Sequence, residues 1–212
     1  MDHNAEIAAA AKSVLAPMGC KRKGRSRTWL DDHGWWVGVV EFQPSGWSKG
    51  SYLNVSASYL WKPPFAQSTW SFDALIGPRP WHDAVERESF MGKAMGLASI
   101  ACATLTTLRG HHRTIALTAD WLQAQWNGRN PWQNYHLGMA FGLSGRVESG
   151  RHHFRIGVDP VSQVEWAKAL SRESEAFAAL IEDQSAFKNA VLERIQATRK
   201  ALKLPPIGVL EL

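Results

Sequence analysis

Apolar and polar positions recur along this chain with two different periods, and the change of period divides it. Residues 3–17 predict a helix. Ala5, Ala8, Ala9 and Ala11 favour it, and Ile7, Ala11, Val14 and Leu15 form an apolar stripe that Pro17 and Gly19 end. Residues 20–30, 35–43 and 52–61 read as strands, separated by Asp32-His33-Gly34 and by the segment from Ser45-Gly46 to Gly50. The third alternates, with Leu53, Val55, Ala57, Tyr59 and Trp61 on one side and Asn54, Ser56 and Ser58 on the other, which is the pattern of a half-buried antiparallel strand. A short fourth strand is expected over 70–74, after the Pro63-Pro64 break.

From Trp81 the period lengthens. Val85, Met91, Ala94, Met95, Ala98, Ala101, Cys102, Leu105 and Leu108 recur mostly three and four residues apart, predicting one long helix closed by Gly110. His82 and Asp83, near Glu86 and Glu88, read as an acidic start to that helix favoured by its dipole. A second helix is expected over 118–126 with Thr118 as cap, and Asn130-Pro131 predicts an N-cap followed by proline at the first helical position. Ser162-Gln163-Val164-Glu165 has the form of a capping box ahead of the stripe Val164, Ala167, Leu170, Phe177 and Ile181. Ser185 opens a last helix that Pro205-Pro206 stops. Between Tyr135 and Pro160, Leu137-Gly138, Phe141, Gly145, Gly150, Phe154 and Gly157 fall near tetratricopeptide spacing, predicting a helical hairpin over 132–144 and 147–157. The expected fold is α+β: an N-terminal helix and a small antiparallel sheet of three or four strands, then a mainly helical C-terminal half with a TPR-like hairpin. One domain over 1–212 is expected, with subregions 1–76 and 81–204, because no flexible linker separates them.

Composition excludes disorder and a disulfide framework. Hydrophobic residues make up 45% and charged residues 20% of the 212, and the two cysteines, Cys20 and Cys102, show no paired spacing. The first residues lack a signal-peptide pattern, and the longest apolar run, 94–105, is short of the ~20 residues of a spanning helix. A cytoplasmic protein with no membrane association is the expectation. The net charge of +5 is uneven: residues 1–30 hold six basic and two acidic side chains, whereas residues 161–212 hold seven of each.

That charge concentrates in the first strand-like run, where period-two alternation would put Lys21, Lys23, Arg25 and Arg27 on one face. Such a stripe suits a phosphate backbone or an acidic partner, and it is also what a sheet edge carries to block edge-to-edge pairing. Eleven tryptophans are present, six of them (Trp29, Trp35, Trp36, Trp47, Trp61, Trp70) in or beside the expected sheet. Adjacent Trp35 and Trp36 must face opposite sides. Trp47 and one of that pair are therefore the candidates for a binding surface, able to stack a base or a flat ligand. Catalytic patterns are thin. Gly142-Leu143-Ser144-Gly145 lacks the nucleophile-elbow spacing, and there is neither a Walker loop nor a dinucleotide fingerprint. The pairs His111-His112 and His152-His153 cannot chelate from adjacent positions. No enzyme activity, cofactor or metal is expected.

Leu15, Gly19, Lys21, Arg22, Lys23, Gly24 and Arg25, followed by Val39-Val40, Phe42-Gln43, Ser45, Trp47-Ser48 and Gly50, resemble an uncharacterised bacterial domain-of-unknown-function family (DUF4304-like). The match covers residues 12–62. This chain departs at Cys20, where that family favours an aromatic, at Glu41, where an amide is usual, and at Pro44, where a cation is usual. The resemblance implies a helix followed by two strands and a turn, and it marks Gln43, Ser45 and Trp47 as a recurrent feature. These residues could close a turn, with the serine bonding locally and the tryptophan packing back, or they could form a polar pocket with Arg25 or Arg27. The functional expectation is a non-enzymatic interaction module, such as an inhibitor or immunity-type protein, that holds an acidic protein partner through its cationic face. The alternative is a nucleic-acid-associated protein that uses Lys21–Arg27 with Trp47.

Overall fold

The computed structural model describes residues 3–44, 50–75, 80–83, 87–128, 130–158, 162–208 and 210. The architecture is the expected α+β one. The chain forms two compact units, and their boundary does not follow the Pro63-Pro64 break: residues 1–58 and 74–110 make the first, and residues 59–73 and 111–212 the second.

The first unit contains α1 (His3–Leu15), strands β1 (Lys21–Arg22), β2 (Thr28–Asp32), β3 (Trp36–Pro44), β4 (Gly50–Tyr59), β5 (Ala74–Leu75) and β6 (Trp81–Asp83), and α2 (Arg87–His111), with the final residues of β4 and α2 belonging to the second unit. The sheet runs β1-β2-β3-β4-β5, and β6 pairs with β4 as well. Three expectations are corrected here. The run 20–30 is two strands around a turn. The fourth strand is displaced to Ala74–Leu75. Trp81–Asp83 is strand, pairing Gly50↔Asp83 and Tyr52↔Trp81, so His82 and Asp83 do not start the long helix, which begins at Arg87. β4 is also buried more completely than alternation predicts. Its far edge is covered in two pieces, by β6 and then by β5, and Ser56 and Ser58 are as buried as Val55 and Ala57.

One ion pair ties the long helix to this sheet. Arg109 Nε donates to Asp31 Oδ2 at 2.9 Å and its Nη2 to Asp31 Oδ1 at 2.7 Å, while Nη2 also reaches the Met18 carbonyl at 2.7 Å. His33 Nε2 lies 2.7 Å from the same carboxylate, its ring stacked on Trp36 at 4.4 Å. Opposite Asp31 in the ladder is Gly38, where an added Cβ would meet Leu105 Cδ2 at 2.7 Å, so the missing side chain is what lets α2 approach. Burial would raise the Asp31 pKa, but the hydrogen bonds from His33 and Arg109 outweigh it and hold the carboxyl below its usual range. Burial pushes the neighbouring Cys20 thiol up to about 11, with the Asp31 charge adding to the effect, so it stays protonated. By length and composition one helix among the described residues, Phe90–His111, could cross a membrane, with mean hydropathy 1.2. The core helix of a folded unit passes the same test, and Ala94, Leu97, Ala98, Ala101, Leu105 and Leu108 form a buried stripe along it.

The second unit holds α3 (Ile115–Ala124), α4 (Pro131–Leu143), α5 (Val147–Ile156), α6 (Glu165–Leu180) and α7 (Gln184–Ala201). Helix α4 packs against α3, α5, α6 and α7. The hairpin is present as expected. A Cβ on Gly150 would stand 3.0 Å from the Gly142 nitrogen and 3.1 Å from the Gly138 carbonyl, so α4 and α5 cross backbone to backbone, and Phe154 fills the space over Gly138. Caps differ from expectation in detail. Asn130 caps α4 as predicted, but α3 is capped by Thr114, α7 by Asp183, and α6 starts at Val164 with no side-chain cap. Val164 is half exposed and leaves the α6 stripe to Ala167, Leu170, Phe177 and Ile181.

Two predictions follow from this packing. Gly150→Ala should destabilise the protein by at least about 1–3 kcal/mol through overpacking, whereas Gly96→Ala, on α2 with nothing within 4 Å of the new Cβ, should stabilise by up to about 1 kcal/mol; urea unfolding measures both. Arg109→Met should cost about 2–3 kcal/mol at neutral pH, the low end because a third of that side chain meets solvent. The Asp31 pKa is lowered on folding, so its contribution is complete above about pH 4, the unfolded carboxyl value, and is lost as pH falls through the folded value. Urea midpoints followed into acid should decline less steeply in the Arg109→Met variant.

Candidate functional site

The cationic residues gather at the tip of a hairpin and do not form a stripe. β1 pairs Lys21↔Leu30 and Arg22↔Trp29, and the chain then turns through 23–27. Lys23 N donates to Thr28 O at 2.9 Å, Ser26 N to Lys23 O at 3.0 Å, and Gly24 takes the left-handed conformation, φ +54°, that glycine adopts without strain. Arg22 braces the turn from the side, its Nε donating to Ser26 O at 2.7 Å and its Nη2 to Arg25 O at 3.0 Å. Period-two alternation does not survive a turn, which is why the single face expected for Lys21, Lys23, Arg25 and Arg27 is absent. Lys21, Arg22, Lys23 and Arg25 are exposed. Lys21 and Arg25 have no carboxylate within ion-pair distance among the described residues.

Arg27 and Gln43 have structural partners. The Arg27 guanidinium reaches Asn4 Oδ1 at 2.5 Å and Ser51 Oγ at 2.9 Å, joining α1 to β4. Asn54 Nδ2 donates to Glu41 Oε2 at 2.9 Å and to Gln43 Oε1 at 3.0 Å, bridging β3 and β4. Ser45 and Trp47 lie outside the described residues. Trp35 and Trp36 are both buried, which removes that pair as an exposed aromatic anchor. The exposed tryptophan among the described residues is Trp166, stacked on Trp132 at 6.3 Å in the second unit, and the sequence reading did not single it out.

The histidine pairs are structural. His112 is buried against the Tyr59 hydroxyl at 2.8 Å, and His153 is buried between Gln123 Oε1 at 2.8 Å and Asn134 Oδ1 at 3.3 Å. Among the described residues no group of three His, Cys, Asp or Glu side chains is placed to hold a metal ion.

A second polar cluster, which the sequence reading missed, lies in the helical unit. Asp73 Oδ2 accepts the Tyr59 backbone N–H at 2.9 Å and the Ser71 hydroxyl at 2.7 Å, and Oδ1 lies 3.4 Å from His136 Nε2. Trp61 Nε1 donates to His136 Nδ1 at 3.1 Å, so the imidazole proton sits on Nε2, facing Asp73. Burial would raise the Asp73 pKa, but His136, Lys62 and the Ser71 hydrogen bond bring it below the usual carboxylate range. The nearby Lys62 is 1% exposed, and desolvation lowers its pKa against the opposing pull of Asp73. The signal available in the sequence was a lysine inside the apolar run Tyr59-Leu60-Trp61-Lys62-Pro63.

No family model, curated protein or solved structure matches this chain.

Arg22→Ala should loosen the hairpin tip while leaving β3 and β4 intact. We expect faster amide exchange at Lys23 and Ser26 and a loss of about 0.5–1.5 kcal/mol per hydrogen bond removed; unchanged exchange would show that the turn holds without the brace.

Proposed function

We propose that this chain is a non-enzymatic binding module that presents the cationic β1–β2 tip to an acidic face of a protein partner, in the manner of an inhibitor or immunity-type protein. The observation that carries the reading is the concentration of exposed Lys21 and Arg22 on β1 with Lys23 and Arg25 in the braced turn that follows it. A charged tip raises the local concentration of an oppositely charged partner and speeds its encounter. Its compactness favours a patch of carboxylates over a phosphate backbone, which is better tracked by charges set in a line. The alternative use, binding nucleic acid through Lys21–Arg27, draws support from the same charge but not from Trp35 or Trp36, which are buried. A reducing, cytoplasmic setting accords with two free cysteines, Cys20 among them buried.

The test is affinity capture from native lysate with the full chain at about 0.15 M salt, with and without nuclease, beside the double variant Lys21→Glu, Arg25→Glu. One protein retained stoichiometrically after nuclease, and lost at least tenfold with the variant, supports the module. Nucleic acid released steeply by salt, with no retained protein, moves the assignment to phosphate binding. Equal retention by the variant removes the hairpin from the interface.

A further inference from the structure

Lys62 raises a question of hydrogen-bond supply. Lysine is almost never fully buried unless paired, and its four-carbon stem ordinarily lets the ammonium reach water. Here the side chain is held inside, with Nζ donating to the Thr69 carbonyl at 2.7 Å. An ammonium carries three N–H groups, and no carboxylate stands within ion-pair distance of this one among the described residues. The residue borders a cavity of about 310 Å3 whose walls include Lys62, Ser71, Asp73, Asn130, Trp132 and Gln133. That volume is at the lower end for a small-molecule site.

The charges lining this cavity balance. Among the side chains that line it, Lys62 and Asp73 are the two of opposite charge. A multiply charged ligand would therefore bring an uncompensated charge against the buried Lys62 and Asp73, at a desolvation cost. The walls offer hydrogen bonds of both kinds. Asn130 Oδ1 is taken by Trp132 N at 3.0 Å, which leaves its amide N–H groups as donors at the exposed rim of the cavity. Gln133 Nε2 is taken by Gln125 O at 2.9 Å, which leaves its side-chain carbonyl as an acceptor in the cavity wall. The Trp132 indole adds a flat apolar wall. Donors, acceptors, an aromatic surface and zero net charge together describe one kind of ligand.

We propose that the Lys62–Asp73 cavity binds a small, flat, uncharged heterocycle bearing both hydrogen-bond donors and acceptors, of nucleobase type. The site lies wholly in the helical unit and is independent of the hairpin tip. Its test is calorimetry and ligand-observed NMR on the full chain with hypoxanthine and uracil as probes and with benzoate and inorganic phosphate as charged comparisons. We expect saturable one-to-one binding of at least one heterocycle, weakened tenfold or more by Lys62→Met and by Trp132→Ala, and unaffected by the Lys21→Glu, Arg25→Glu pair. Circular dichroism and thermal midpoints establish that each variant is folded. If Lys62→Met does not fold, Trp132→Ala, at a partly exposed position, decides alone. Absence of saturable binding of either heterocycle to millimolar concentration overturns the proposal, as does preference for benzoate or phosphate. Unchanged affinity in a folded Lys62→Met protein overturns it too, and the buried lysine is then structural only.

Discussion

A strand with no free edge and no free face must satisfy every polar group it carries from within the protein, and β4 is such a strand. It pairs with β3 along one edge and with β6 and then β5 along the other, and its side chains from Leu53 to Tyr59 are all buried. An unpaired buried polar group costs about 1–3 kcal/mol, so the polar half of β4 has to recruit partners. Ser51 takes Arg27, Asn54 takes Glu41 and Gln43, and Ser56 bonds the Ala57 carbonyl. Where pairing with β5 stops, the Asp73 carboxylate accepts the Tyr59 N–H in place of a strand. This constraint explains why two of the expected site residues, Arg27 and Gln43, are structural. The strand needs them before any ligand could.

The buried charges are handled in two ways, and the contrast separates architecture from opportunity. Asp31 is closed: both oxygens meet Arg109, one meets His33 as well, and the arginine's remaining reach goes to a carbonyl at the end of α1. Such a pair locks α2 onto the sheet and leaves nothing for a ligand. Lys62 and Asp73 are open. Each feels the other's charge, yet no ion pair joins them, and a cavity lies between groups that still have hydrogen-bonding capacity. Replacing a closed buried pair by apolar residues is often neutral or stabilising; the open pair differs in bordering a cavity.

How much was legible in the sequence depends on whether a residue's role is local. The helical hairpin could be read because Gly138 and Gly150 have to be small where α4 and α5 touch, and that need leaves a spacing. Asn130-Pro131 could be read because a cap is decided within four residues. The turn at 23–27 could not, because a run of lysines and arginines suits an exposed strand and an exposed turn equally, and Gly24 is the single local mark of the difference. β6 was hidden by its brevity: Trp81–Asp83 is strand only because β4 offers an open edge. The Lys62–Asp73–His136 cluster was invisible for the same reason. Its members lie up to 74 positions apart in sequence, and a histidine in the middle of α4 reads as a polar interruption until the fold surrounds it, although a helix apolar on nearly every side is itself a sign of burial.

Under the two proposals, the hairpin tip and the cavity would divide the labour of recognition along physical lines. Charge on an exposed turn acts over the Debye length, about 8 Å in physiological salt, and so it governs how fast partners meet more than which partner stays. Selectivity comes from desolvated contacts, because a buried donor or acceptor left unmatched penalises the wrong ligand. The tip has reach and few such contacts among the described residues. The cavity offers donors, acceptors and an aromatic ring in its walls, and its one positive and one negative side chain carry no net charge to draw a charged ligand in. A partner held by the tip therefore needs further contacts beyond it to be specific, whereas a molecule fitting the cavity is selected by the cavity alone. Steering without discrimination is useful when the partner is large and abundant in surface carboxylates. Discrimination without steering is useful when the ligand is small, neutral and diffuses freely.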